Sequence, residues 1–132
     1  MKKKGFTLVE IMIVVAIIAL LAAIAIPNLL GARRTANEAA ARANIKVLCT
    51  EAETFAAGAG NGAYYATLAA FQAASTAATT YCGSTLGGYS YACPTMGPGG
   101  YTFPATPVGT NTGAIVVTGN TGGQITIAAF GG

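Results

Sequence analysis

The sequence predicts an α+β fold: one long N-terminal helix, apolar in its first half and amphipathic in its second, packed on a small antiparallel β-sheet. Three observations carry this. From Ile11 to Ile26 every residue is apolar, sixteen in a row. From Ala41 to Phe55 apolar residues recur at helical spacing. After residue 57 the texture changes to short aromatic and β-branched runs broken by glycine, and 16 of the 18 glycines lie there. The 132 residues amount to one domain with room for a modest core.

Residues 6 to about 57 read as a single helix. The stretch from Phe6 to Ile26 is 21 residues; as a helix it spans about 32 Å, close to the ~30 Å hydrocarbon core of a bilayer. Pro27 removes one backbone donor and crowds the carbonyl of Ala23, so a kink or local loosening is expected there, with Gly31 adding to the weakness. Beyond it Ala41, Ile45, Leu48, Ala52 and Phe55 share one face. Arg42, Lys46, Thr50 and Glu53 share another, which is expected to stay in water. Glu38 and Arg42, four apart in the favoured order, add roughly 0.3 kcal/mol as a helix pair.

The run GAGNGAYY (58–65) ends the helix. TLAAFQAAS (67–75) predicts a short second helix with Leu68 and Phe71 facing a core. Strands are predicted at Tyr89–Cys93, Gly100–Thr106, Ala114–Thr118 and Gln124–Ala129. TGNTGG (118–123) reads as the hairpin turn between the last two, with glycines available for positive φ.

The net charge of +3 comes from Lys2, Lys3 and Lys4 alone. Every Asp, Glu, Lys and Arg lies at or before Glu53, and there is no His. The distal part therefore offers no general base, no carboxylate pair and no cluster of hard metal ligands. No catalytic residue, metal site or cofactor is expected. A basic patch for nucleic acid phosphates is also missing beyond Lys46, so no nucleic acid partner is predicted. The three cysteines match no zinc spacing. A local Cys82–Cys93 bridge would stabilise by roughly 3 kcal/mol and suit an exported protein with a small core. It would leave Cys49 free and half-buried at the edge of the helix stripe. Pairing of Cys49 with Cys82 or Cys93 stays open.

Glu10 is the residue that needs a reason, because it stands inside an otherwise apolar run. An ordinary secretory signal, cleaved after AIA (23–25), has no use for a carboxylate in its apolar core. A plain membrane anchor leaves it unexplained too, at ~2.5–3.5 kcal/mol if the charge sat at mid-membrane.

The stretch KKKGFTLVEIMIVVAIIALLAAIAIPNLL (2–30) closely resembles the N-termini of the type IV pilin-like family, which comprises type IV pilins and the pseudopilins of type II secretion. The resemblance implies a 1–5 leader and cleavage between Gly5 and Phe6 by a prepilin peptidase on the cytoplasmic side. It further implies N-methylation of Phe6, and pairing of Glu10 with the α-amine of Phe6 in its own or a neighbouring subunit. Pro27 lies at the matching helix position and is counted with Glu10 as an assembly residue. The implied fold is the type IV pilin fold, with a 6–30 transmembrane or filament-core helix and a 31–132 periplasmic or extracellular head.

The function so implied is the major structural subunit of a type IV pilus. The precursor sits in the inner membrane, is drawn from it by the pilus assembly machinery, and joins a helical homo-oligomeric filament outside the cell. A pseudopilin is the nearest alternative, disfavoured because the family's major pseudopilins bind calcium through C-terminal acidic residues and no carboxylate side chain follows Glu53. A minor pilin acting as an adhesin is the other. The aromatics Phe6, Phe55, Tyr64, Tyr65 and Phe71 are explained by helix and core spacing without an electron-conducting role.

Overall fold

A computed structural model describes Met1 and residues 5–131. The basic run Lys2 to Lys4, which carries the predicted leader charge, lies outside the described residues. The elements are α1 (Leu8–Ala57), α2 (Leu68–Ala74), α3 (Thr76–Tyr81), β1 (Thr85–Leu86), β2 (Tyr89–Tyr91), β3 (Thr95–Gly97), β4 (Gly100–Pro107), β5 (Ile115–Asn120) and β6 (Gln124–Ala129). The architecture is α+β, a long N-terminal helix on a six-stranded antiparallel sheet. The chain divides into two compact units, Met1–Arg33 and Arg34–Gly132, and α1 contributes to both.

In the first unit α1 runs uninterrupted through Pro27. The amide of Asn28 donates to the carbonyl of Ile24 at 3.2 Å, a local bond beside the place where Pro27 can donate nothing. The large apolar side chains of this part of α1 are exposed, from 76% at Leu8 to 50% at Leu30. That is the reverse of what a water-soluble surface tolerates over such a length.

In the second unit the buried residues of α1 are Ala41, Ile45, Leu48, Cys49, Ala52 and Ala56. The predicted stripe is therefore the packing face, with two adjustments. Cys49 is not half-buried but fully inside, at 1% exposure. Phe55 stays at the margin and stacks on Tyr65, with ring centroids 3.8 Å apart. A glycine explains the first. A Cβ on Gly119 of β5 would run into Cys49 Sγ and lie 2.8 Å from Ile45 Cγ2. The missing side chain lets the helix approach the strand there, and the thiol fills the gap.

The sheet order is β1-β2-β4-β5-β6, and β3 pairs with the other end of the β4 edge that carries β2. Strand β4 alternates strictly, with Tyr101, Phe103, Ala105 and Pro107 buried and their neighbours half-buried, as a sheet with one packed face requires. The aromatic centre of the core is a chain of rings. Phe71 of α2 stacks on Phe103 at 5.6 Å, Phe103 on Tyr101 at 4.6 Å, and Tyr64 meets Tyr101 edge-on at 5.2 Å.

Of the predicted strands β6 has the expected bounds and the other three appear with shifted ends, and the predicted hairpin joins β5 to β6 in register from Asn120↔Gln124 to Ile115↔Ala129. Its turn uses Gly122 and Gly123 at φ 81° and 67°, a region where glycine carries no steric penalty. Strands β1 and β3 and helix α3 were not expected from the sequence. The two strands have only two and three residues, too short for an alternation to show. Helix α3 is nucleated by its cap. Ser75 closes α2 by donating its amide to Phe71 and opens α3 by accepting from the Ala78 amide at 2.9 Å. The Sγ atoms of Cys82 and Cys93 are bonded, and Cys49 is free.

Candidate functional site

Two groups of side chains combine charge with position: the start of α1, and the carboxylates of its second half.

At the start of α1, Thr7 precedes the first helical residue. Its backbone N–H and its hydroxyl both donate to Glu10 Oε2 at 3.1 Å, and the Glu10 N–H donates back to Thr7 Oγ1 at 3.2 Å. This is a reciprocal capping box, in which two orphan donors of the helix terminus are satisfied by side chains three residues apart. The sequence signal for it, Thr-x-x-Glu before an apolar run, is present as Thr7-Leu8-Val9-Glu10 but was not part of the reading above. Glu10 thus has a local structural role beside the amine pairing implied by the resemblance. Its carboxylate is folded back over the first turn, one residue from Phe6. Gly5 and Phe6 themselves precede the helix and are exposed.

The second group corrects the expected water-facing row. Arg42, Lys46 and Thr50 are exposed, but Glu53 is half-buried. Tyr101 Oη donates to Glu53 Oε1 at 2.7 Å, Tyr64 Oη to both carboxylate oxygens at 3.1 Å, and the Gly122 amide to Oε1 at 2.8 Å. Burial opposes the charge, but the hydrogen bonds from Tyr101, Tyr64 and the hairpin amides outweigh it and hold this carboxyl below its ordinary range. Burial first, and then the same contact, drives the Tyr101 phenol well above its ordinary value.

Glu38 is likewise turned to the sheet rather than to Arg42, accepting the Ala114 amide at 2.9 Å. Glu51 accepts the hydroxyl of Ser75. Each carboxylate after Glu10 is therefore a clip between α1 and a distal segment that has no carboxylate of its own. Neutral groups extend the pattern, with the Asn37 amide donating to the Thr112 carbonyl at 3.1 Å and the Asn44 amide to Tyr91 Oη at 2.9 Å. Burial raises the Cys49 thiol above its ordinary value, which keeps it protonated and inert in the core. Among the described residues no group of His, Cys, Asp or Glu is placed to hold a metal ion.

Residues 1–26 match the family model for the prokaryotic N-terminal methylation motif. The chain is 48% identical over 54 residues, 41% of its length, to the type IV major pilin protein PilA of Myxococcus xanthus, covering 24% of that protein. It is 69% identical over 35 residues, 26% of its length, to the type IV wide pilus major component PilA4 of Thermus thermophilus, covering 27% of that protein. The matched segments thus span about a quarter of each of these relatives. The motif lies over the start of the long helix α1, whose second half packs on the antiparallel sheet. The chain thus carries the prokaryotic N-terminal methylation motif and is similar to type IV pilins over part of its length.

Proposed function

We propose that the chain is the major structural subunit of a type IV pilus. The observation that carries this reading is the first unit: a helix behind a methylation motif, exposing unbroken apolar surface, with one carboxylate in its first turn. By length and composition α1 can cross a membrane, and none of its most apolar window is buried within the chain. The inner membrane covers that surface in the precursor, and the helices of neighbouring copies cover it in the filament.

Residues 1–5 form the leader, 6–30 the membrane and core segment, and 31–132 the head. A prepilin peptidase cuts between Gly5 and Phe6, and methylation of Phe6 follows. Cleavage creates a cationic amine about one helical turn, roughly 6 Å along the axis, from Glu10. In a low-dielectric bundle an amine and a carboxylate attract strongly, while either alone is heavily penalised. Glu10 therefore favours the register in which an amine lies beside it, and Pro27, which leaves one helix hydrogen bond unmade, is a soft point near the end of the core segment. The part of the head beyond Glu53 carries no Asp, Glu, Lys or Arg, which suits close lateral packing of many copies, since these surfaces do not repel.

The test is mass spectrometry and electron microscopy on filaments sheared from cells that express the chain. Expected are fibres built of this subunit, beginning at N-methylated Phe6. A mature N-terminus after Ala25, or a chain that never polymerises, would overturn the reading.

A further inference from the structure

A cleft of about 480 Å³ opens beside the C-terminal end of α1, and the filament reading gives it no task. Glu51, Thr54, Phe55, Tyr65, Ser75 and Thr76 line it. Its apolar wall is the stacked Phe55–Tyr65 ring pair. Glu51 is the one ionic group in the lining.

Ser75 hydrogen-bonds one oxygen of that carboxylate, Oε2. Oε1 has no hydrogen-bond partner among the described residues, in contrast to the fully engaged Glu53. No Lys or Arg lines the cleft, so an anion would meet an uncompensated carboxylate there. A cation would meet a carboxylate and two electron-rich rings.

We propose that this cleft is a recognition site for an organic cation, a guanidinium or alkyl-ammonium group held by Glu51 against the Phe55–Tyr65 pair. Two sources carry that chemistry. One is a free small amine or guanidine. The other is a Lys or Arg side chain of a second copy, which rests on the filament reading. Arg42 and Lys46 fit the second source, being exposed and making no side-chain hydrogen bond or ion pair among the described residues. A projecting cation on one face and a carboxylate cleft on another are complementary between copies, as a head-to-tail contact requires.

The test is an NMR titration of the full chain in detergent micelles, with Tyr and Phe rings labelled, using agmatine as the probe and succinate as the anionic control. Agmatine is expected to give saturable shifts at Tyr65 and Phe55 and none at the buried Tyr89, and succinate to give none. Glu51→Gln, which keeps the shape of the side chain, is expected to weaken binding at least about tenfold, the loss of a charge-assisted hydrogen bond. Phe55→Leu, which keeps Tyr65 as the reporter, is expected to weaken it about threefold. The Phe55 variant decides the matter if the Glu51 variant loses its fold by circular dichroism.

No saturable shift at Tyr65, or undiminished affinity in folded variants, overturns the proposal. To separate the sources, labelled chain is mixed with excess unlabelled wild type or with unlabelled Arg42→Gln/Lys46→Gln. A Tyr65 shift caused only by the wild type assigns the cation to a neighbouring copy. A response to agmatine alone assigns it to a free ligand. Neither outcome depends on whether filaments form or Phe6 is methylated, so failure here is distinct from failure of the pilus reading.

Discussion

Glu53 collects hydrogen bonds from the Tyr64 loop, from strand β4 and from the β5–β6 turn, and so ties the end of α1 to three separate segments. Its charge is useful because each donor is neutral and each bond is charge-assisted. Glu53→Ala is expected to cost about 2 kcal/mol, or roughly 10 °C in the melting temperature of a domain of this size. Glu53→Gln should lose less, because the amide oxygen still accepts from Tyr101. The sign of the pH dependence follows from the direction of the shifts. A carboxyl held below its ordinary value stabilises the fold above its unfolded pKa, and that contribution disappears as pH falls through the folded value. The tyrosines Tyr64, Tyr89, Tyr91 and Tyr101 are raised, by burial first. They stabilise below their unfolded value and withdraw that contribution as pH rises above it. Thermal melts should therefore be highest near neutrality, falling below about pH 4 and above about pH 10, with the acid limb flattened in Glu53→Gln. Thr7 belongs with these residues. Thr7→Val removes the hydroxyl of the capping box, while Thr7→Ser keeps it. Fewer assembled subunits per cell are expected for the valine variant and near wild-type numbers for the serine variant. Equal assembly by both would show that the cap does not position Glu10.

The helix–sheet contact is set by one absent side chain. Gly119 lies where β5 passes under Ile45 and Cys49. Gly119→Ala is expected to destabilise by about 1–3 kcal/mol through overpacking, measurable as a lower denaturant midpoint, and a Cys49→Ala change in the same chain should recover part of it. The bridge between Cys82 and Cys93 closes the segment that holds β1 and β2. Cys82→Ser with Cys93→Ser is expected to cost about 3 kcal/mol by the chain-entropy argument. The long helix, the strands β4 to β6 and their last turn were legible in the sequence, because each rests on a local rule: an apolar run, a period, a glycine pair. Strands β1 and β3 and helix α3 were not. Strand β1 exists because β2 pairs with it, β3 because β4 does, and α3 because Ser75 caps it, contacts that runs this short do not announce.

Two different solvents act on this one chain. The first unit presents to its surroundings the kind of surface that the second unit keeps inside, an asymmetry that the proposed pilus role would use. Glu10→Val should still insert in the membrane, as detected by fractionation, yet give few filaments, with surface pili reduced at least about tenfold; abundant normal filaments would count against the register role. Because the ordinary anchor reading needs no carboxylate, this single variant separates the two. Adding the Glu53→Ala change to such a strain should leave insertion untouched and lower head stability, since the two sites lie in different units and share no partner.

The sequence by itself determined the apolar segment, its flanking charges, the face that packs and the lack of charged side chains after Glu53. These are properties of composition and period, and they need no knowledge of what meets what. Only the tertiary structure decided where the carboxylates go. A glutamate on a helix reads as a solvated charge until a tyrosine hydroxyl, a hairpin amide and a serine from segments far along the chain are brought to it, and hydrogen bonding of that kind is invisible to spacing. The same holds for Cys49, whose place in the core depends on a glycine seventy residues away.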